Sequence, residues 1–224
     1  MRVRAVGFDL DATLARTERS RAAVLATATD RVGAARITRA EYLDAHDEHS
    51  GGDTREPVFE ALLDGRDGGV DPAALAEAYR EALADSLVPA ADVPALLADL
   101  HKHYRVGLLT DGPVGTQRGK LDRLGWSGLF DATVVTGALP APKPDERAFA
   151  ALVEGLDAPP ETVVYVGDHP RKDIAGACDA GLTPVQVRYD DGPDQHPAAA
   201  ATVHRDRLAE ALPRVLAGLD GDRR

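Results

Sequence analysis

The chain has 224 residues and a formal net charge of −11, which suits one domain or a core with a small insert. The acidic balance argues against nucleic acid or an anionic membrane as the main partner, and no apolar run approaches the roughly 20 residues needed to cross a bilayer. Hydrophobic residues make up 44%, enough for a packed interior, but aromatics are only 4%, so aliphatic and Ala packing must dominate.

Val3 to Phe8 reads as the first strand. It ends in Asp9-Leu10-Asp11, two carboxylates on the same side of an extended chain. Anions that close repel each other unless a cation joins them or one is protonated. Oxygen-only ligands suit Mg2+, a hard cation that keeps waters and is completed by substrate phosphate. The pair therefore points to metal-assisted phosphoryl chemistry. The segment before it lacks an apolar signal sequence, and the single cysteine, Cys178, excludes an internal disulfide framework. Both features lead to the expectation of a cytoplasmic protein.

From about Thr17 to Ser86 the pattern is helical. Thr38-Arg39-Ala40-Glu41 has capping-box spacing, and Asp71-Pro72 reads as an N-cap followed by Pro at the first helical position. Leu75, Ala78, Tyr79, Ala82 and Leu83 then recur on one helical face. Gly51-Gly52 and Gly65 to Gly69 read as breaks between helices. Strand and helix alternate again from about Asp92. Strands are expected at 105–110, 132–136, 162–166 and 184–187. Between them the pattern predicts helices through Leu96 to Leu100, through Leu121 and Leu124, over 145–156, and on to Ala180. Asp190 to Ala200 reads as a loop and 205–216 as the last helix, limited by Pro213. Residues 218–224 read as a frayed tail.

Alternation of this kind implies a parallel sheet covered on both faces, with ligands at the carboxyl ends of the strands. The polar residues that end the strands are Asp9, Thr110, Thr136 and Asp168, which should share one rim. The expected fold is α/β: a doubly wound, Rossmann-like parallel sheet core (1–15 and 88–224) with an inserted all-helical cap (16–87).

Four motifs stand in order: Asp9-Leu10-Asp11-Ala12-Thr13, Leu108-Leu109-Thr110-Asp111-Gly112, Lys143-Pro144, and Gly167-Asp168-His169-Pro170-Arg171-Lys172-Asp173. Together they resemble those of the haloacid dehalogenase (HAD) superfamily in its phosphatase branch, and the helical insert resembles that family's first cap type. The resemblance implies that Asp9 is a nucleophile forming an aspartyl-phosphate. It implies that Asp11 protonates the leaving alkoxide and then activates water. Thr110 would hydrogen-bond a phosphoryl oxygen, and Lys143 would neutralise charge on the nucleophile and the transferring group. Leu10, Asp111 and Gly112 would line the phosphate site with backbone N–H groups. Mg2+ would be held by Asp9, the carbonyl of Asp11 and Asp168, with Asp173 in support from behind or through water. The implied substrate is a small phosphorylated metabolite, and a monomer or a homodimer would fit.

The physical chemistry of these residue types agrees. A phosphoryl group in transfer spreads negative charge over its oxygens, and fixed cations and donors lower the barrier. A carboxylate nucleophile needs no deprotonation near neutral pH, because its ordinary pKa is about 4. Taken alone, each motif has a plainer explanation. Asp-Gly is a common turn, Lys143 could be a solvated lysine, and Asp173 could favour a helix start through the dipole. The order of all four carries the functional reading. Two alternatives are a 2-haloacid dehalogenase-type hydrolase, which needs neither Mg2+ nor a leaving-group acid, and a non-catalytic phosphoryl-binding or receiver-like module. The acidic set argues against the first; the chain's length and late Gly-Asp motif argue against the second.

Other features carry less. His46 and His49 have ligand spacing without a third ligand, so a solvated helix face is expected. Cys178 follows Gly176-Ala177, so inert packing is expected, as it is for Trp126. His169 lines the entrance or caps a turn. Thr13 touches substrate or bonds a motif carbonyl or carboxylate. Ala12 stands where Gly, Asp or Asn is frequent in the family, and its small side chain is expected to leave the neighbouring roles intact. Arg16, Arg19, Arg55 and Tyr42 are candidates for reading the leaving group.

Overall fold

A computed structural model describes residues 2–49, 54–66, 68–90 and 92–221. In chain order the elements are β1 (Ala5–Phe8), β2 (Ala15–Thr17), α1 (Arg21–Val32), α2 (Arg39–His49), α3 (Glu56–Leu63) and α4 (Pro72–Asp85). Then come β3 (Leu87–Pro89), α5 (Val93–Leu100), β4 (Arg105–Thr110), α6 (Val114–Leu124), β5 (Ala132–Val135) and α7 (Glu146–Leu156). The last are β6 (Val163–Gly167), α8 (Gly176–Asp179), β7 (Thr183–Arg188), β8 (Ala201–His204) and α9 (Leu208–Gly221). The Gly51-Gly52 break, part of the 65–69 break and residues 222–224 of the tail lie outside the described residues.

The chain divides into two compact units: Met1–Arg16 with Pro89–Gly112 and Gly125–Arg224, and Thr17–Val88 with Pro113–Leu124. The first is an α/β unit. Its six-stranded sheet has the order β5-β4-β1-β6-β7-β8. Every pairing is parallel, with Phe8 aligned to both Leu108 and Val166. That register brings the carboxyl ends of β4, β1 and β6 level, so the residues that follow them emerge together. Helix α7 covers one face of the sheet. Its Phe149, Leu152 and Leu156 are buried against Leu109, Val163 and Tyr165. Helix α7 starts at an Asp145 side-chain cap, which accepts the Arg147 N–H.

The second unit is helical. Its core gathers Leu25 and Ala28 of α1, Tyr42 of α2, Phe59 and Leu62 of α3, and Leu75, Tyr79, Ala82 and Leu83 of α4. Tyr42, Phe59 and Tyr79 lie 5.3–5.8 Å apart between ring centroids. Three of the chain's ten aromatics thus meet in this one core. The capping box forms as its spacing predicts. Glu41 accepts the Thr38 N–H at 2.7 Å, and Thr38 Oγ1 accepts the Glu41 N–H at 3.3 Å. Asp71 caps α4 through the Ala73 N–H, followed by Pro72.

Four expectations need correction. The last helix does not end near Leu216, Pro213 does not limit it, and residues 218–221 are not frayed: α9 runs from Leu208 to Gly221 with Pro213 inside it. Pro removes one backbone donor, but Leu208, Leu212 and Leu216 bury one continuous face and outweigh that loss. β8 was not expected; its four residues, Ala-Thr-Val-His, are too short to show a period and are recruited by pairing with β7. β2 and β3 flank the helical stretch as three-residue strands, again below the length at which a pattern is visible. Cys178 is exposed rather than packed. Its neighbours Gly176 and Ala177 face inward and turn it outward. No helix among the described residues is long and apolar enough to cross a membrane.

Candidate active site

Asp9 follows β1, Thr110 ends β4, and Asp168 follows β6, so the parallel register alone brings them to one rim. The Asp9 N–H donates to the Val166 carbonyl at 2.9 Å, which prolongs the β1–β6 pairing by one residue. The chain then turns tightly: Leu14 and Ala15 N–H both donate to the Leu10 carbonyl, and Ala12 N–H to Ala15. Ala12 takes φ 64° in this turn. That left-handed conformation crowds its Cβ, a backbone cost that its small size alone does not reveal.

Lys143 reaches the same place from the loop before α7 and is buried. Its ammonium donates to Asp9 Oδ1 at 2.7 Å and to Asp173 Oδ1 at 2.7 Å. The Tyr165 hydroxyl at 3.1 Å and the Leu109 carbonyl at 3.3 Å complete its surroundings. The Tyr165 hydroxyl itself donates to Leu109 O at 3.1 Å. The other Asp173 oxygen accepts the His169 N–H at 2.9 Å. Asp173 fits there because residue 167 is Gly: a Cβ on Gly167 would lie 2.5 Å from Asp173 Cβ. His169 is a capping residue, its Nδ1 accepting N–H bonds from Arg171 and Lys172 at 3.2 Å each. These open a π-helical turn over Pro170–Ala175, ahead of the α-helix expected there.

Asp9, Asp168 and Asp173 each offer an oxygen within 4.8 Å of the others. Three carboxylates against one ammonium leave two negative charges, and all the donors are oxygen. That set fits a hard divalent cation such as Mg2+. Asp173 already spends both oxygens on Lys143 and His169, which suits support from behind better than direct ligation.

The electrostatics follow from burial. Burial pushes the Asp9 carboxyl well above the ordinary range; Lys143 opposes this, while Asp173, Asp168 and Asp11 add to it. Burial alone would lower the Lys143 ammonium, but Asp173 and Asp9 hold it well above its usual value. Burial, then Asp173, pushes Asp168 up to about 6, against the Tyr189 hydroxyl and Lys143. Crowded anions of this kind are relieved by a cation.

The remaining candidates divide. Thr110 Oγ1 is buried and has no hydrogen-bond partner, a donor available to a ligand oxygen. Thr13 Oγ1 is buried without a partner too, so it bonds neither a motif carbonyl nor a carboxylate. Asp11 is half-buried in the turn. Gly112 N–H makes a long bond of 3.4 Å to Thr136 Oγ1. The Asp111 carboxylate accepts the Thr136 hydroxyl and the Lys143 N–H at 3.1 Å each, so it fixes the loop that delivers Lys143. Trp126 is buried, as expected of packing. In the helical unit Tyr42 is buried and its hydroxyl accepts from Arg55 at 2.6 Å. Arg19 donates to Thr27, while Arg55 lines a cavity of about 350 Å³ with Thr54, Tyr79, Arg80 and Thr116.

Sequence reasoning missed Tyr165, Gln186 and Tyr189. Gln186 is wholly buried; its amide donates to the Asp168 carbonyl at 3.3 Å and to the Asp194 carbonyl at 3.1 Å. A Gln in the apolar run Pro184-Val185-Gln186-Val187 was a visible signal. Tyr165 and Tyr189 gave none, since Tyr is ordinary in and after strands.

The model of the family described as haloacid dehalogenase-like hydrolase matches residues 6–187. The chain belongs to that family. It is 33% identical over 163 residues to glyceraldehyde 3-phosphate phosphatase of Methanopyrus kandleri, across 70% of this chain and 65% of that protein. It is 34% identical over 134 residues to N-acylneuraminate-9-phosphatase of Mus musculus, across 58% of this chain and 54% of that protein. The chain thus spans about half to two thirds of these relatives' length. The crystal structure of a HAD phosphatase from Thermococcus onnurineus shares the fold, with a TM-score of 0.70, 24% identity, and 96% and 99% of the two chains covered.

Proposed function

We propose that this protein is a Mg2+-dependent phosphatase that hydrolyses a small-metabolite phosphomonoester through an aspartyl-phosphate. The observation that carries this reading is the Lys143 ammonium shared by Asp9 and Asp173 beside Asp168. In the proposed division, 1–15 and 88–224 form the catalytic core and 16–87 the cap.

In the first step an oxygen of Asp9 attacks phosphorus, and the bond from phosphorus to the leaving oxygen breaks. Asp11 gives that oxygen a proton. In the second step water attacks the same phosphorus, Asp11 takes the proton, and the bond to Asp9 breaks to release inorganic phosphate. Lys143 holds positive charge against Asp9 throughout. Thr110 Oγ1 donates to a phosphoryl oxygen, with the N–H groups of Leu10, Asp111 and Gly112 around it. Asp9, Asp168 and the Asp11 carbonyl would hold Mg2+, with Asp173 behind. When bound it neutralises the carboxylates and draws charge from the transferring group.

The two relatives are named for different phosphomonoesters, which supports the reaction more than any one substrate. Arg55 of the helical unit is kept as a candidate for reading the leaving group. The dehalogenase alternative has no use for Asp168 and Asp173. The test is hydrolysis of an aryl phosphate by purified protein with Mg2+. Turnover that survives EDTA, or persists in Asp9→Asn, would overturn the reading, as would halide release from a 2-haloacid without phosphatase turnover.

A further inference from the structure

Asp168 is held at both ends. Gln186 grips its carbonyl, and the Tyr189 hydroxyl donates to its Oδ2 at 3.0 Å. Tyr189 is itself pinned, because the Arg205 guanidinium carbon lies 4.2 Å from the centroid of its ring. A strand-end carboxylate has two free side-chain torsions, and a donor on one oxygen fixes both while leaving lone pairs for another partner.

The chemistry of that donor matters. Asp9 and Asp173 share the one Lys143 ammonium, which offsets part of their charge. Asp168 instead meets a neutral phenol, which orients the carboxylate without neutralising it. Arg205 acts at one remove: a cation over the ring face fixes the ring plane and draws density from the oxygen, which strengthens its O–H as a donor.

We infer that Tyr189, clamped by Arg205, is a positioning residue that presents Asp168 to a divalent cation. The inference rests on the cation reading of Asp9, Asp168 and Asp173. Ligating carboxylates that lose such a partner lose about 10–100-fold in metal affinity. A competing geometry would have the Tyr189 bond occupy Asp168 in place of the cation and break when it arrives.

The test is Mn2+ binding, followed by the EPR signal of free Mn2+, to the wild type, Tyr189→Phe, Arg205→Met and the double variant. Tyr189→Phe keeps the ring and its packing and removes only the donor. Binding is expected to weaken about 10-fold in Tyr189→Phe. Arg205→Met should weaken it less, and should add nothing in the Tyr189→Phe background. Unchanged or tighter Mn2+ binding by Tyr189→Phe would overturn the inference, as would an Arg205→Met effect that persists without the hydroxyl. If Tyr189→Phe fails to fold, Arg205→Met decides alone, and unchanged binding overturns the inference. A wild type that binds Mn2+ yet turns over no phosphoester would remove the phosphatase reading and leave this one standing.

Discussion

The Lys143 ammonium lies 2.7 Å from Asp9 Oδ1 and 2.7 Å from Asp173 Oδ1, so one cation ties the carboxylate after β1 to the one that follows β6. All three side chains are buried, and each depends on the others for its charge.

Replacing Lys143 with Met should therefore strike both stability and turnover. Two buried carboxylates would lose their partner, a change of about 3–5 kcal/mol at neutral pH. The loss should shrink as pH falls and Asp9 protonates, since burial holds its carboxyl well above the ordinary range. Turnover of an aryl phosphate should drop by about 10²-fold or more. Urea unfolding and steady-state kinetics measure both; unchanged stability of Lys143→Met would contradict the pairing.

Asp168 sets a pH dependence. Its pKa rises from 3.8 to about 6 on folding, so between those values the folded chain binds more protons than the unfolded one. This group's contribution to metal-free stability therefore falls as pH rises through that window and is level above it. Relative to Asp168→Asn, the wild type in EDTA should lose urea resistance from pH 3.8 to about 6. Mg2+ competes with the same proton, so its apparent affinity should fall as pH drops below about 6. Calorimetric Mg2+ titrations at several pH values check this; an affinity flat across the window would contradict it.

Gly167 tolerates no side chain, since an added Cβ would lie 2.5 Å from Asp173 Cβ and Cγ. Gly167→Ala should displace Asp173 from Lys143 and the His169 N–H. The expected result is a loss of about 1–3 kcal/mol and weaker Mg2+ binding. Wild-type Mg2+ affinity in this variant would show that the metal site does not depend on where Asp173 sits.

Much of this site could be read from the chain because its parts sit at strand ends. Asp9, Thr110 and Asp168 each close an apolar run, and a parallel sheet collects such ends on one rim. Local devices were equally legible: Thr38 with Glu41, and Asp71 with Pro72, need only neighbours a few residues away. What stayed hidden depends on long-range register. Tyr165 meets Leu109 and Lys143, and Tyr189 meets Asp168 and Arg205, only after β4, β6, β7 and β8 have paired. The run of α9 past Leu216 was hidden for the same reason, because the burial that sustains it comes from tertiary packing.

Ala12 offers a test of backbone strain. At φ 64° an Ala side chain costs roughly 1–2 kcal/mol, and Gly gives back about 0.4–1 through its freer unfolded chain. Ala12→Gly should raise stability by up to about 1 kcal/mol with turnover preserved. A clear fall in the thermal midpoint would show that the turn needs the Ala methyl.

The central claim is that Asp9 carries the phosphoryl group between substrate and water. The most direct measurement is acid-quenched mass spectrometry of Asp11→Asn, in which the second step lacks its base, during exposure to an aryl phosphate and Mg2+. The account predicts a phosphoryl adduct on the peptide containing Asp9, absent when Asp9→Asn is added. A competent wild type whose quenched variant carries no adduct, or carries it on another residue, would contradict it.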